Sequence, residues 1–150
     1  PSRQELPLMA ESAQATLKDI GIDVDINCTA DNNSVVQDPA AWDVYAMANV
    51  QAPTGDPEYW FTVFATSDAT KNQGAYKNEK LDQLEEQLSQ EFDPDKRAKL
   101  AVQMQQTVLD DNAFVYCSFL KMSQISRANV TGYMAHACDY YQVTADLDIN

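Results

Sequence analysis

Apolar positions in the first fifty residues follow a helical period and then a strand period. From Glu5 to Ile20 they recur three or four residues apart, and Gly21 stands where a left-handed C-terminal cap belongs. Directly afterwards, apolar and polar side chains alternate over residues 22–28, which predicts a strand with one buried face. A second apolar stretch at 42–50 predicts a more buried strand. A helix that leads into a strand through one glycine is typical of a βαβ unit, so the pattern indicates an α/β fold.

The second half of the chain predicts two helices and a third strand. A leucine stripe marks a helix from about Asn78 to Glu91, and Asp93 followed by Pro94 predicts the start of another that reaches about Leu109. We expect the apolar stripes of this pair to be core. Residues 113–120 are β-prone and predict a strand buried between helices.

Two further segments have weaker patterns. Residues 34–41 predict a short helix, because Asp38-Pro39 places a proline where a first helical turn accepts it. The last thirty residues have no strong period. We therefore divide the chain into an α/β lobe at 1–121 and an extended segment at 122–150 that would pack on, or cross to, another lobe.

Charge and composition exclude several classes of partner. The net charge of −13 arises from 23 acidic and 10 basic residues, and it opposes binding to nucleic acid or anionic lipid. No apolar run approaches the roughly 18 residues that a membrane helix needs. The start of the sequence has neither a Met nor a signal segment, so we expect a longer protein whose export signal lies upstream. Cys28 and Cys117 sit in apolar runs and favour buried thiols, although one bridge among three cysteines is the alternative.

Aromatic residues crowd the position just beyond the second predicted strand, where open α/β sheets usually bind ligands. The loop 51–57 is followed at once by Tyr59, Trp60, Phe61 and Phe64. We expect Phe61 and Phe64 to anchor a short helix to the core. For Tyr59 and Trp60, ligand contact and core packing are both open.

The motifs of phosphate binding and of serine hydrolases are absent, and a single histidine leaves little scope for a catalytic triad. The one arrangement with metal-like spacing is His136-Ala-Cys138-Asp139. One interpretation is an ordinary surface histidine. The other is an imidazole that completes the coordination of a metal arriving already chelated.

The order of several stretches resembles the C-terminal part of the peptide and nickel class of solute-binding proteins of ABC transporters (extracellular solute-binding protein family 5). The likeness runs over nearly the whole chain, and its stretches are ELPLMAE and LKDIGIDV near the start, WDVY from Trp42, GDPEYWF from Gly55, and YKNEKLDQL, DPDKRAKL and LDDNA between Tyr76 and Ala113. The resemblance implies a three-layer lobe of the class II periplasmic-binding-protein fold, with a mixed sheet flanked by helices. It also implies an extracytoplasmic binding protein, in the periplasm or on the cell surface as a lipoprotein, that serves a membrane permease. Such a protein is not an enzyme and holds no cofactor.

The resemblance also bears on the ligand. Peptide-binding members carry an acidic residue in the loop before Asp-Pro, whereas this loop reads Gln51-Ala-Pro-Thr-Gly-Asp56-Pro57, so that Asp56 or Asp43 would have to substitute. The Ala-Pro of this loop and the Gly-Tyr-Met-Ala-His sequence ending at His136 are similar to the nickel or metal-chelate members. The predicted ligand is therefore a nickel or other metal chelate, with a di- or oligopeptide as the alternative.

The predicted ligand-binding residues are Asn49, Gln51, Tyr59 and Trp60, with His136 as a ligand to the metal. Two functions from other classes stay open. One is a metal-dependent hydrolase that uses His136, Cys138 and nearby carboxylates, and the other is a protein-interaction domain that presents Tyr59 and Trp60.

Overall fold

The computed structural model describes residues 3–38, 40–121, 123–136 and 143–150. Within these residues the regular secondary structure is mainly helical. Its elements are α1 (Glu5–Lys18), α2 (Asn32–Val36), α3 (Glu58–Trp60) continued by a π-helical turn (Phe61–Ala65), α4 (Glu79–Gln90), α5 (Pro94–Asp110), β1 (Val130–Thr131) and β2 (Asp148–Ile149). No helix in the described residues has the length and apolar character needed to cross a bilayer.

Helices α4 and α5 form the hairpin that the leucine stripe and the proline predict. The Asn78 side chain accepts a hydrogen bond from the backbone N–H of Leu81 at 2.9 Å, and the Asp93 side chain accepts one from that of Lys96 at 3.0 Å. Each bond satisfies an N–H that the first helical turn leaves without a partner. Both starts and the predicted core stripe are therefore confirmed, and the buried apolar side chains of the hairpin are Leu81, Leu84, Leu88, Ala101, Met104 and Val108.

The turn after α3 packs against this hairpin. Phe61 and Phe64 are buried, as predicted, and Phe61 and Ala65 belong to the same core cluster as the hairpin. Polar contacts add a second connection, because the Asp82 carboxylate accepts hydrogen bonds from the backbone N–H of Ser67 at 2.9 Å and from its hydroxyl at 2.6 Å. The segment that carries the predicted site is thus attached to α4 by apolar and polar contacts.

Helix α1 ends as its sequence predicts. Gly21 has a φ of +82°, and the backbone N–H of Ile22 donates to the carbonyl of Leu17 at 3.0 Å. A left-handed glycine with such a bond satisfies the carbonyls that the last turn leaves without a partner. The helix nevertheless contains no buried residue.

The three predicted strands are not confirmed. Residues 22–28, 42–50 and 113–120 contain neither helix nor strand. Val115 is 86% exposed and Phe119 81% exposed, so the prediction that 113–120 is buried between helices is wrong. A strand is stabilised by hydrogen bonds to a neighbour and by cover over its apolar face. In the described residues these segments have no paired neighbour, and alternation by itself does not make a sheet.

Two smaller predictions are also corrected. The short helix lies at Asn32–Val36 rather than at 34–41, because the Asp31 carboxylate caps it through the backbone N–H and hydroxyl of Ser34. Pro39 lies outside the described residues. Cys28 and Cys117 are free and exposed rather than buried, since the apolar runs that contain them are not covered.

The described part of the C-terminal segment contains one antiparallel pair, in which Val130 faces Ile149 and Thr131 faces Asp148. Gly132 follows with a φ of +73°, and a Cβ at this position would collide with the carbonyl oxygen of Asp146. A glycine is therefore required at the end of β1.

Candidate functional site

The predicted ligand loop leads from Asn49 into α3 through a tight turn. Asn49 is exposed and Gln51 is half-buried. The backbone N–H of Gly55 donates to the carbonyl of Ala52 at 3.0 Å, and Gly55 has a φ of +81°. This left-handed position directs the chain into the Asp56-Pro57-Glu58 sequence.

Asp56 holds the start of α3. One of its oxygens, Oδ1, accepts a hydrogen bond from the backbone N–H of Glu58 at 2.9 Å, and Pro57, with a φ of −69°, needs no such bond. Local chemistry alone therefore favours a helical turn at this point, one residue before the aromatic pair.

Arg97 from α5 reaches this turn. Its Nη2 lies 2.8 Å from both carboxylate oxygens of Asp56 and 2.7 Å from Oε2 of Glu58. The other terminal nitrogen, Nη1, donates to the carbonyls of Leu88 at 2.6 Å and Glu91 at 2.7 Å, at the end of α4. We call Arg97, Asp56 and Glu58 the arginine clamp. One guanidinium thereby joins the α4–α5 connection to the turn that precedes the predicted site.

The charges within the clamp favour the ionised forms of Asp56 and Arg97. Burial by itself raises the pKa of Asp56, but the hydrogen bond from the Glu58 N–H and the adjacent Arg97 guanidinium outweigh it and lower the pKa overall. Hydrogen bonds to Glu58 and Asp56 raise the pKa of Arg97. The two carboxylates therefore stand opposite a permanent positive charge.

Trp60 lies at the centre of an aromatic cluster. Its ring centroid is 5.3 Å from that of Phe61, 5.2 Å from that of Phe114 and 6.0 Å from that of Tyr116. The edge-to-face arrangements with Phe61 and Phe114 are among the favoured geometries of aromatic pairs. One side of Trp60 thus packs on the core, while the residue as a whole, like Tyr59, stays half-buried.

The surroundings of the cluster are apolar. Burial raises the pKa of Tyr116 to about 12, so this phenol is neutral over the physiological range. Phe114 packs against the core cluster from the segment that follows α5. An uncharged aromatic wall, formed by half-buried Phe114 and the 44% exposed Tyr116, therefore stands beside Trp60.

His136 is exposed and lies in the stretch that follows β1. Its neighbours in the proposed metal-like arrangement, Cys138 and Asp139, lie outside the described residues. In the described ranges no three His, Cys, Asp or Glu side chains are grouped so that they could hold a metal ion. Whether His136 meets the loop at 49–60 stays a prediction.

Sequence reasoning missed Arg97, Phe114 and Tyr116 as neighbours of the site. Arg97 is 41 residues from Asp56 in the sequence, and no local pattern connects the two. A signal did exist, since the stretches GDPEYWF and DPDKRAKL, both part of the family resemblance, contain the whole arginine clamp.

A curated protein is similar to part of the chain. No protein-family model matches the chain. The nickel-binding protein NikA of Staphylococcus aureus (strain NCTC 8325 / PS 47) is 30% identical over 99 residues, which are 66% of this chain and 20% of that protein. The chain therefore matches about a fifth of the length of this relative.

A solved structure agrees in fold. The crystal structure of NikA from Staphylococcus aureus in complex with Ni(L-His)2 superposes with a TM-score of 0.80 and 24% sequence identity, over 99% of this chain and 32% of that one. This superposition confirms the prediction of a periplasmic-binding-protein-like fold. The mixed sheet that was predicted with it is not confirmed. In sequence and in fold, the chain is similar to part of a nickel-binding protein, which agrees with the resemblance to the peptide and nickel class of solute-binding proteins.

Proposed function

We propose that this chain is part of the substrate-binding component of an ABC importer, and that its ligand is a nickel or other metal chelate. The observation that carries the proposal is the match to a nickel-binding protein at 30% identity over 99 residues. The solved neighbour, crystallised with Ni(L-His)2, supports a chelate over a bare ion. The chelate is the transported ligand and not a cofactor, and the protein binds it without catalysing a reaction.

The arginine clamp supports a chelate over a peptide. The loop from Asn49 to Trp60 contains two carboxylates, Asp56 and Glu58, and both are paired with Arg97. A peptide's α-amino group would need one of them as its counter-charge. Recruiting Asp56 would leave part of the guanidinium charge uncompensated in a half-buried position, which is costly. Of the two carboxylates that could pair with a peptide's α-amino group, Asp56 and Asp43, Asp43 therefore remains available.

Asn49, Gln51, Tyr59 and Trp60 form the contact surface in this proposal. The amides of Asn49 and Gln51 donate and accept hydrogen bonds, which suits the carboxylate and amino groups of a chelator such as histidine. Tyr59 and the open side of Trp60 supply apolar area. His136 is proposed as the protein's own ligand to the metal, through its imidazole.

The finer architecture is likewise a proposal. Residues 1–121 form one lobe, and 122–150 pack on or cross to another lobe of the complete protein. There, 22–28, 42–50 and 113–120 would be strands of a mixed sheet flanked by helices. The apolar side chains exposed along these segments support this arrangement, because a sheet would cover them.

The proposed partners and location follow from the same class. The binding protein delivers its ligand to a membrane permease, and it works outside the cytoplasm, in the periplasm or on the cell surface as a lipoprotein. The net charge of −13 makes the surface strongly acidic. It opposes any direct role in binding nucleic acid.

Isothermal titration of the complete binding protein that carries this chain tests the proposal. The titrants are nickel alone, nickel with free histidine, and a pool of dipeptides. We expect tight binding when nickel and histidine are both present, weakened by His136→Ala. A matched control is Lys121→Ala, an exposed change outside the proposed site, which should leave the affinity unchanged.

The other outcomes decide between the alternatives. Dipeptide binding that His136→Ala does not change and Asp43→Asn weakens would contradict the chelate proposal and establish a peptide-binding protein. A protein that binds neither ligand would contradict both. If Lys121→Ala also weakened chelate binding, the effect of His136→Ala would not be specific to the imidazole.

A further inference from the structure

We propose that Arg97 is a positioning residue for ligand binding, which sets the direction in which Tyr59 and Trp60 face the site. It touches no ligand itself. The inference rests on the proposed function for the part that concerns affinity, and on the arginine clamp alone for the part that concerns Trp60.

The guanidinium is anchored on the side away from the site. Its Nη1 donates to the carbonyls of Leu88 and Glu91 at 2.6 and 2.7 Å. These carbonyls lie at the end of α4, where oxygens lack the N–H of a following helical turn, and that of Leu88 also accepts the N–H of Glu91 at 3.2 Å. The Arg97 side chain is 16% exposed. The position of the guanidinium is therefore determined by the α4–α5 connection, which belongs to the packed core of the chain.

The other side of the same guanidinium holds the turn. Nη2 donates to Asp56 and Glu58, and Asp56 in turn accepts the backbone N–H of Glu58. The carboxylate that starts α3 is thus the carboxylate that pairs with α5. Tyr59 and Trp60 are the next two residues, so a movement of this turn moves both side chains.

Trp60 is confined from its other side as well. Its ring meets Phe114 and Tyr116, which follow α5 on the opposite end from Arg97. The tryptophan is therefore held between two contacts that both depend on α5. A ligand-contacting side chain whose direction is set before binding loses less entropy when the ligand arrives.

The arrangement needs an arginine and not simply a positive charge. The guanidinium is a rigid planar fork that serves two backbone carbonyls and two carboxylates at the same time. A lysine at position 97 keeps the charge but presents a single nitrogen. It can satisfy the carbonyls or the carboxylates, and the link between them is lost.

The first test uses the complete protein with 5-fluorotryptophan incorporated and observed by ¹⁹F NMR. The Trp60 resonance is assigned by its loss in Trp60→Phe. We expect Arg97→Lys to shift or broaden the Trp60 resonance and to leave that of Trp42 unchanged. Lys96→Met removes a positive charge from the neighbouring position of α5, where the side chain is 66% exposed, and it should move neither resonance.

The second test measures affinity for nickel with histidine. We expect Arg97→Lys to weaken binding about tenfold, since small misplacements of contact residues have effects of this order or larger. Tyr76→Phe is the matched structural control, because it removes the hydrogen bond to Asp111 at the end of α5 and keeps the ring that packs on Phe114. It should lower stability without changing the affinity. Should Arg97→Lys fail to fold, Glu58→Gln keeps the Asp56 pair and should produce smaller changes in the same direction.

Two results would overturn the inference. One is an unmoved Trp60 resonance in folded Arg97→Lys and Glu58→Gln. The other is a loss of affinity in Tyr76→Phe as large as that in Arg97→Lys, which would make the effect one of general stability. If the wild-type protein binds no nickel and histidine, the proposed function fails, and the ¹⁹F measurement still decides whether Arg97 positions Trp60.

Discussion

Two regions of the chain share the same kind of sequence pattern and differ in what they bury. Helices α1 and α4 each have an apolar stripe and a defined end, yet α4 has three buried leucines and α1 has no buried residue. In the described part of the chain, the buried apolar residues other than Val36 lie between Phe61 and Val108. The helical period identifies which face is apolar, and the presence of a neighbouring element decides whether that face is covered.

The largest effect that tests this contrast is expected from truncating one leucine in each region. Leu81 is fully buried near the start of α4, whereas Leu8 is 64% exposed near the start of α1. Leu81→Ala should lower the free energy of unfolding by about 2–4 kcal/mol, through lost burial and the cavity that remains. Leu8→Ala should change it by at most about 0.5 kcal/mol. Urea unfolding followed by circular dichroism measures both, and equal losses would show that α1 is packed as tightly as α4.

A smaller effect is expected from one tyrosine hydroxyl in each region. The Tyr76 hydroxyl donates to the Asp111 carboxylate at 2.6 Å, whereas the Tyr45 hydroxyl accepts from the Asn32 amide at 3.1 Å. Tyr76→Phe should lower the free energy of unfolding by about 1 kcal/mol, because the hydrogen bond is to a charged group. Tyr45→Phe breaks an exposed, neutral bond and should cost at most about 0.5 kcal/mol.

The pH dependence of the Tyr76 bond has a definite sign. Burial, and then the hydrogen bond and charge of Asp111, raise the pKa of Tyr76 from 10.0 to about 12. The folded protein therefore retains this proton more strongly than the unfolded chain does. The stabilisation is complete below pH 10 and is lost as the pH rises towards 12. The difference between wild type and Tyr76→Phe should shrink over this range, and a constant difference would contradict the assignment.

The smallest effect is expected at Glu85, and it has the opposite sign to the others. Burial, followed by the like charges of Glu58, Asp68 and Asp82, raises the pKa of Glu85, so its charged form destabilises the fold at neutral pH. Glu85→Gln should raise the free energy of unfolding by about 0.3 kcal/mol at pH 7, a small gain because solvent screens these charges.

The gain from Glu85→Gln should disappear as the pH falls through the raised pKa, where the wild-type carboxyl takes up its proton. The control in the other region is Glu11→Gln, which alters an exposed carboxylate on α1 and should have no comparable effect. Thermal unfolding at pH 7 and at pH 4 separates the two variants. A loss of stability in Glu85→Gln at pH 7 would contradict the repulsion.

The parts of the fold that were predicted correctly depend on neighbours in sequence. Asn78 and Asp93 cap helices through bonds that span three residues, and Gly21 closes α1 by its own conformation. The prediction that 113–120 is buried failed because that property depends on a neighbour far along the chain. The arginine clamp escaped prediction for the same reason, although both stretches that form it were visible in the family resemblance.

The candidate site divides in the same way. The aromatic run at Tyr59 and Trp60 and the turn at Asp56-Pro57 could be identified from residue types and spacing alone. That Trp60 has one side on the core, and that Asp56 is already paired with Arg97, could not. The aromatic run and the turn favoured a ligand at this loop. The pairing of Asp56 with Arg97 supports a chelate over a peptide.

The sequence by itself determined the approximate limits of the three long helices, which faces are apolar and which family the chain resembles. These properties depend on local hydrogen bonds, on side-chain period and on the order of short motifs. The tertiary structure decided which apolar faces are buried and which charges are paired. Burial and charge compensation depend on contacts between residues dozens of positions apart, such as the 41 that separate Asp56 from Arg97, and no local pattern specifies such a contact.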